Sequence, residues 1–147
     1  MDLDARIEEL LEQPCWVIDG LPERVPADSA GQYSKLEEAF HTPELFAKFA
    51  NILLKLNCYY DLHVNYRGEW VKNPSAVDLS ARLNDVFQTQ GRILILTSPE
   101  EALFTLNGDD NYMTMYDPDE GLLERTARIA GAEGLFVWKG TDRKSVV

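Results

Sequence analysis

The stretch LNCYYDLHVNYRGEWVKN, residues 56–73, decides how the rest of the chain is read. From Tyr59 the side chains alternate, with Tyr60, Leu62, Val64 and Tyr66 set against Tyr59, Asp61, His63 and Asn65. A period of two belongs to a strand with one dry and one wet face. Arg67-Gly68 is a two-residue turn in which glycine supplies the positive φ, so a second short strand folds back on the first. The resulting register sets Tyr66 opposite Glu69, Asn65 opposite Trp70, Val64 opposite Val71 and His63 opposite Lys72. Trp70 then shares a face with Asp61 and His63 and partly covers it.

Immediately upstream, TPELFAKFANILLKL changes the period to 3.6. Thr42 is placed to cap a helix, Pro43 takes its first position, and Glu44 favours the positive end of its dipole. Phe46, Phe49, Ala50, Leu53 and Leu56 fall on one stripe, widened by Leu45 and Ile52. This helix is expected in the core, with the strand at 59–66 laid over it.

Working outward, Leu3, Ile7, Leu10 and Leu11 mark an amphipathic helix that Pro14 ends. Cys15 to Ile18 is a short buried strand, expected as an edge of the sheet. LPERVPADSAGQYSKLEEAFH cannot begin as regular structure, given Pro22, Pro26 and Gly31. Its second half, open between a strand and a short helix, is read as irregular. Ser75 with Asp78 opens another helix through Leu79, Leu83 and Val86 to Gly91. Strands are expected at 92–97, 102–106, 111–116 and 135–138, with one helical turn at 98–101 and a last helix from Asp117 to Gly131. TDRKSVV, residues 141–147, is expected to be a flexible tail. The sum is a single α+β domain over 1–140, with a mainly antiparallel sheet of about five strands and helices packed on one face.

The chain has 147 residues, 45% hydrophobic and 27% charged, the balance of a globular domain. Ile93 to Leu96, the longest apolar run, is far short of the roughly 20 residues a membrane span needs. MDLDARIEELLEQ lacks the basic start and apolar core of an export signal, so a cytoplasmic location is expected and no membrane partner. Cys15 and Cys58 then read as buried thiols rather than a disulfide or metal pair. With 25 acidic against 14 basic residues the net charge is −11, which repels a phosphate backbone and argues against nucleic acid. Glu100, Glu101, Asp109, Asp110, Asp117, Asp119, Glu120 and Glu124 are crowded between Pro99 and Arg125. Such crowding serves solubility and helix capping, or forms a docking face for a basic partner.

Asp61 and His63 point the same way, but catalysis needs a converging nucleophile or metal. Their expected neighbours, Lys72, Asn65 and Trp70, include none, so no catalytic residue is assigned. NGDDNYMTMYDPDE has calcium-loop spacing at Asn107, Asp109 and Asn111, yet glycine stands second and Pro118 occupies the place of the twelfth-position glutamate. It reads as a hairpin turn, with no metal and no cofactor. Tyr33, Tyr59, Trp70, Tyr112 and Tyr116 are expected at or near the surface, where aromatic side chains favour interfaces.

Through QPCWVIDGLPERVPA, LLKLNCYYDL and NGDDNYMTMYDP the chain resembles a group of short bacterial cytoplasmic proteins without an assigned activity. The resemblance implies a stand-alone single domain and supplies no site residues. The residues themselves point to a non-enzymatic acidic accessory protein, an inhibitor- or immunity-like binder of a basic protein, or a homodimer. Asp61, His63, Trp70, Asp109, Asp110 and Tyr112 are its candidate contact residues. The rival expectation is a small-molecule site or enzyme pocket near Tyr33, Asp61 and His63.

Overall fold

A computed structural model describes residues 3–26, 28 and 32–140. The expected 141–147 tail lies outside them. Among the described residues five helices and seven strands run in the order α1 (Leu3–Leu11), β1 (Cys15–Asp19), α2 (Gln32–Phe40), α3 (Pro43–Leu56), β2 (Asp61–Tyr66), β3 (Glu69–Lys72), α4 (Ala76–Thr89), β4 (Arg92–Ser98), β5 (Leu103–Asn107), β6 (Met113–Tyr116), α5 (Glu120–Ala132) and β7 (Phe136–Lys139). The strands form one sheet in the order β3-β2-β4-β5-β6-β1-β7, and every neighbouring pair is antiparallel.

The β2–β3 register is the one that alternation and the Arg67-Gly68 turn require: His63 faces Lys72, Val64 Val71, Asn65 Trp70 and Tyr66 Glu69. Both turn residues have positive φ, 55° and 79°, as a two-residue hairpin of this twist demands. α3 starts as its cap signals dictate, with the Leu45 amide donating to Thr42 Oγ1. Its Phe46, Phe49, Ala50, Ile52, Leu53 and Leu56 are buried. Full burial of such a side chain is worth about 1.5–3 kcal/mol before entropy is charged against it. They meet Leu62, Val64 and Tyr66 of β2 in a single core with Ile95, Phe104, Leu106, Met113, Met115 and Ile18. α4 contributes Leu79, Leu83 and Val86 to the same core, and α5 contributes Leu122 and Ala130.

The opposite face of the sheet has its own cover. Ile7 and Leu10 of α1 pack on Leu96 and Leu103, with Leu94, Trp70 and Tyr116 partly buried around them. Leu96 and Leu103 alternate with Ile95 and Phe104, so α1 lies across the sheet from α3, α4 and α5. No helix of the described residues is long and apolar enough to cross a membrane.

Four local expectations change. The cysteines are not buried thiols, since Cys58 is exposed at the turn after α3 and Cys15 is half-buried. β1 lies inside the sheet, because β7 pairs along its outer side. Residues 98–101 form no helical turn. Thr97 instead closes a tight connection, donating its amide to Ala102 O and its hydroxyl to Glu100 O. The segment read as irregular contains α2, none of whose residues is fully buried. Tertiary polar contacts dock it: Asn111 Nδ2 donates to Glu37 O at 2.8 Å, and His41 Nδ1 meets Asn111 Oδ1 at 2.5 Å.

Candidate functional site

Asp61, His63 and Trp70 lie at one end of the sheet. β4 pairs with the free side of β2 and sets Ser98 directly across from Asp61. His63 Nε2 is 3.1 Å from Ser98 Oγ. The expectation that no nucleophile neighbours His63 is therefore corrected, since a hydroxyl sits within bonding range of its ring. The third member of a catalytic set is absent among the described residues. Asp61 Oδ1 accepts from Asn73 Nδ2 at 3.0 Å, and its Oδ2 lies 3.9 Å from Lys72 Nζ. Asn73 in turn accepts from the Leu62 amide and from Asn57 Nδ2, so this carboxylate belongs to a hairpin-end network. The Nδ1 of His63 has no hydrogen-bond partner among the described residues. A serine whose base is not oriented by a third group is a poor nucleophile. Exposure of the protein to a fluorophosphonate ester is expected to leave Ser98 unmodified by mass spectrometry. Adduct formation at Ser98 that disappears in His63→Ala would make the pair a working base and nucleophile.

A second constellation forms at the other end of the sheet. A cavity of about 220 Å3 opens where α2 crosses the end of β1. Asp19, Gly20 and Leu21 supply one wall, Tyr33, Leu36, Glu37 and Phe40 of α2 another, and Leu45 and Lys48 of α3 a third. Phe40 stands at 57% exposure, an apolar ring on a wet helix. Asp19 ends β1 because Gly20 follows, and its Oδ1 caps the bend by accepting the Gly20 amide at 2.7 Å. Asn111, buried at 8%, fixes the helix that forms the second wall.

The titratable groups of this end are mostly acidic, with Lys48 as a basic wall residue of the cavity. Burial raises the Asp19 carboxyl above its ordinary range and the charge of Glu37 adds to that, against the backbone amides of Gly20 and Leu21. Asp110 is raised by burial first and then by Asp109, opposed by its bond from Asn107 and by His41. Tyr33 is raised by burial, then by Glu37, Asp19 and Asp110. Tyr112 is pushed up to about 12 by burial, then by Asp110, Tyr33, Tyr116 and Asp109. A carboxyl whose folded pKa is raised stabilises the fold when protonated, and that contribution is lost as pH rises through the raised value. The ionised forms of Asp19 and Asp110 are therefore the ones that burial penalises.

Of the sequence candidates, the structure brings Asp109, Asp110 and Tyr112 into one electrostatic neighbourhood with Tyr33. It separates Tyr33 from Asp61 and His63, since β1 and β2 stand four strand steps apart, roughly 19 Å. Asp19, Leu36, Glu37, Phe40 and Lys48 escaped the sequence reading. The available signal was Tyr33, Leu36, Glu37 and Phe40, spaced as one face of a helix. Among the described residues no group of three His, Cys, Asp or Glu side chains is placed to hold a metal. Comparison with known protein families, curated proteins and solved structures finds no match, and the resemblance carried by QPCWVIDGLPERVPA gains no support there.

Proposed function

We propose that the chain is a non-enzymatic acidic binding protein that receives a lysine- or arginine-bearing segment of a basic protein partner in the cavity between α2 and β1. The observation that carries this reading is the make-up of the cavity. Asp19, Glu37 and Glu44 outnumber the single base, Lys48, and stand with Tyr33 beside the apolar walls of Leu36, Phe40 and Leu45. A long basic side chain has that same division, an aliphatic stem and a charged head. Its head would relieve the repulsion between Asp19 and Glu37, which the free protein carries. Volume supports the choice of occupant. About 220 Å3 lies below the roughly 300–1,000 Å3 of ordinary small-molecule pockets, and suits one inserted side chain.

The test uses a short peptide with one lysine between apolar residues, and its analogue with uncharged norleucine in place of lysine. Trp138 reports on the site, since its Nε1 donates at 3.0 Å to the carbonyl of Leu21, a wall residue. The lysine peptide is expected to change tryptophan emission saturably, with affinity falling as salt rises past about 0.1 M. Asp19→Asn with Glu37→Gln is expected to weaken it by about tenfold or more, while the melting temperature stays level or rises. Equal binding of both peptides, or unchanged binding in the double variant, would refute the reading.

A further inference from the structure

On a chain with 25 acidic and 14 basic residues, a basic side chain is expected to find a carboxylate. Arg6, Lys55, Arg67, Lys72 and Arg82 each do. Arg24, Lys35, Lys48, Arg92 and Lys139 make no ion pair among the described residues, but α5 alone sets two such side chains side by side against a groove. Arg125 and Arg128, three residues apart and so on one helix face, make no ion pair among the described residues. Glu124, one turn before Arg128, does not engage it.

Both arginines line a groove of about 280 Å3 with Lys55, Tyr59, Ile129 and Ala132. α3 and the turn after it form one bank, α5 the other. The Arg125 guanidinium is held by rings instead of acids. It lies 4.3 Å from the centre of the Tyr59 ring and 5.6 Å from that of Tyr60. Its Nη1 donates to Tyr60 Oη at 2.9 Å. That uses one of five donors and fixes the plane of the fork, so little freedom is left to lose on binding. The carboxylate beside the groove is already satisfied. Glu133 accepts from Lys55 Nζ at 2.7 Å and from Asn51 Nδ2 at 3.1 Å. Glu133 and Lys55 cancel, and the charge of two arginines remains.

We infer that this groove is an anion site for a small phosphate monoester, with Arg125 and Arg128 as the recognising forks and Tyr59 as the adjoining wall. Two planar guanidinium forks match a phosphate dianion in charge, and its oxygens outnumber those of a carboxylate. The occupant is a small molecule rather than a nucleic-acid strand, because a net charge of −11 repels a long phosphate backbone. The site is independent of the cavity beside α2, and neither stands or falls with the other.

Phenyl phosphate, inorganic phosphate and phenol, titrated separately into the full chain at low salt and followed by calorimetry, test the assignment. Phenyl phosphate is expected to bind with a dissociation constant of about 1 mM or tighter, and phenol not to bind. Equal affinity for inorganic phosphate would support the site with phosphate as the whole recognised group. Arg128→Gln, at an unpaired position, is expected to weaken binding about tenfold without moving the melting temperature. Arg125→Lys keeps the charge, loses the fork, and is expected to weaken it comparably. Absence of saturable binding, or undiminished binding in Arg128→Gln, overturns the inference. So does a wild-type dimer at low salt that Arg128→Gln turns into a monomer, since the groove would then serve a second copy's acidic face.

Discussion

Replacing Gly108 by alanine is expected to destabilise the fold by about 3 kcal/mol or more, at the upper end of what one added methyl does in a packed site. A Cβ there would lie 2.0 Å from Val86 O, 2.6 Å from Gln90 Cα and 3.0 Å from Val86 C. All three are backbone atoms of the last turn of α4 or of Gln90, which caps it, so no flexible side chain can swing aside. The contact is held from both directions. Gly108 donates its amide to Gly91 O at 2.8 Å, and the Gly91 amide bonds to Val86 O at 3.0 Å. Either the β5–β6 turn or the α4 C-terminus must therefore retreat, and with it a hydrogen bond. Urea unfolding measures the loss, which in a chain of this size lowers the melting temperature by roughly 6–12 °C. Gly131→Ala is the control. It sits inside α5 with nothing within 4 Å of a new Cβ, and alanine there is expected to gain about 0.5–1 kcal/mol. A Gly108→Ala protein within about 1 kcal/mol of wild type would mean that the turn and helix do not touch as described.

That glycine separates what the sequence discloses from what it conceals. Asn107-Gly108 reads correctly as a turn, but its glycine is required by a helix about twenty residues earlier in the chain, a contact that no local pattern encodes. The β2–β3 hairpin was legible to the residue, because alternation and a two-residue turn fix register together. The caps at Thr42 and Ser75 were legible for the same local reason. α2 was not. Its Tyr33, Leu36 and Phe40 are only partly covered, and the helix is anchored by Asn111, more than seventy residues away. Ser98 escaped notice beside His63 because it arrives on the other flank of β2, 35 residues on. The carboxylate and tyrosine patch was half legible. Asp109, Asp110 and Tyr112 stood out as a local cluster, whereas Asp19 and Glu37 join them only through the strand order. Local chemistry is written in the chain, and convergence is written in the topology.

Phe46→Ala is expected to cost about 3–5 kcal/mol, the range for emptying a fully buried aromatic site. Its second consequence is more specific. Phe46 sits at the centre of a ring cluster, 5.7 Å from His41 in an edge contact, 5.7 Å from Phe49 and 5.1 Å from Phe87. His41 also lies 4.9 Å from Phe87, and it passes this packing on to Asn111 through its Nδ1. Asn111 holds Glu37 O, and Glu37 lines the cavity. Removing the Phe46 ring frees one face of His41, loosens the Asn111 bridge and lets α2 drift from β1. The melting transition should fall by roughly 6–20 °C at about 2–4 °C per kcal/mol, and amide exchange in α2 should accelerate beyond the global loss. Phe46→Leu keeps most of the volume and is expected to be milder, with α2 protected in proportion to overall stability. The comparison of the two variants carries the argument. If exchange in α2 tracks global stability equally in both, the ring cluster is core packing alone, and the cavity wall is positioned by something other than His41.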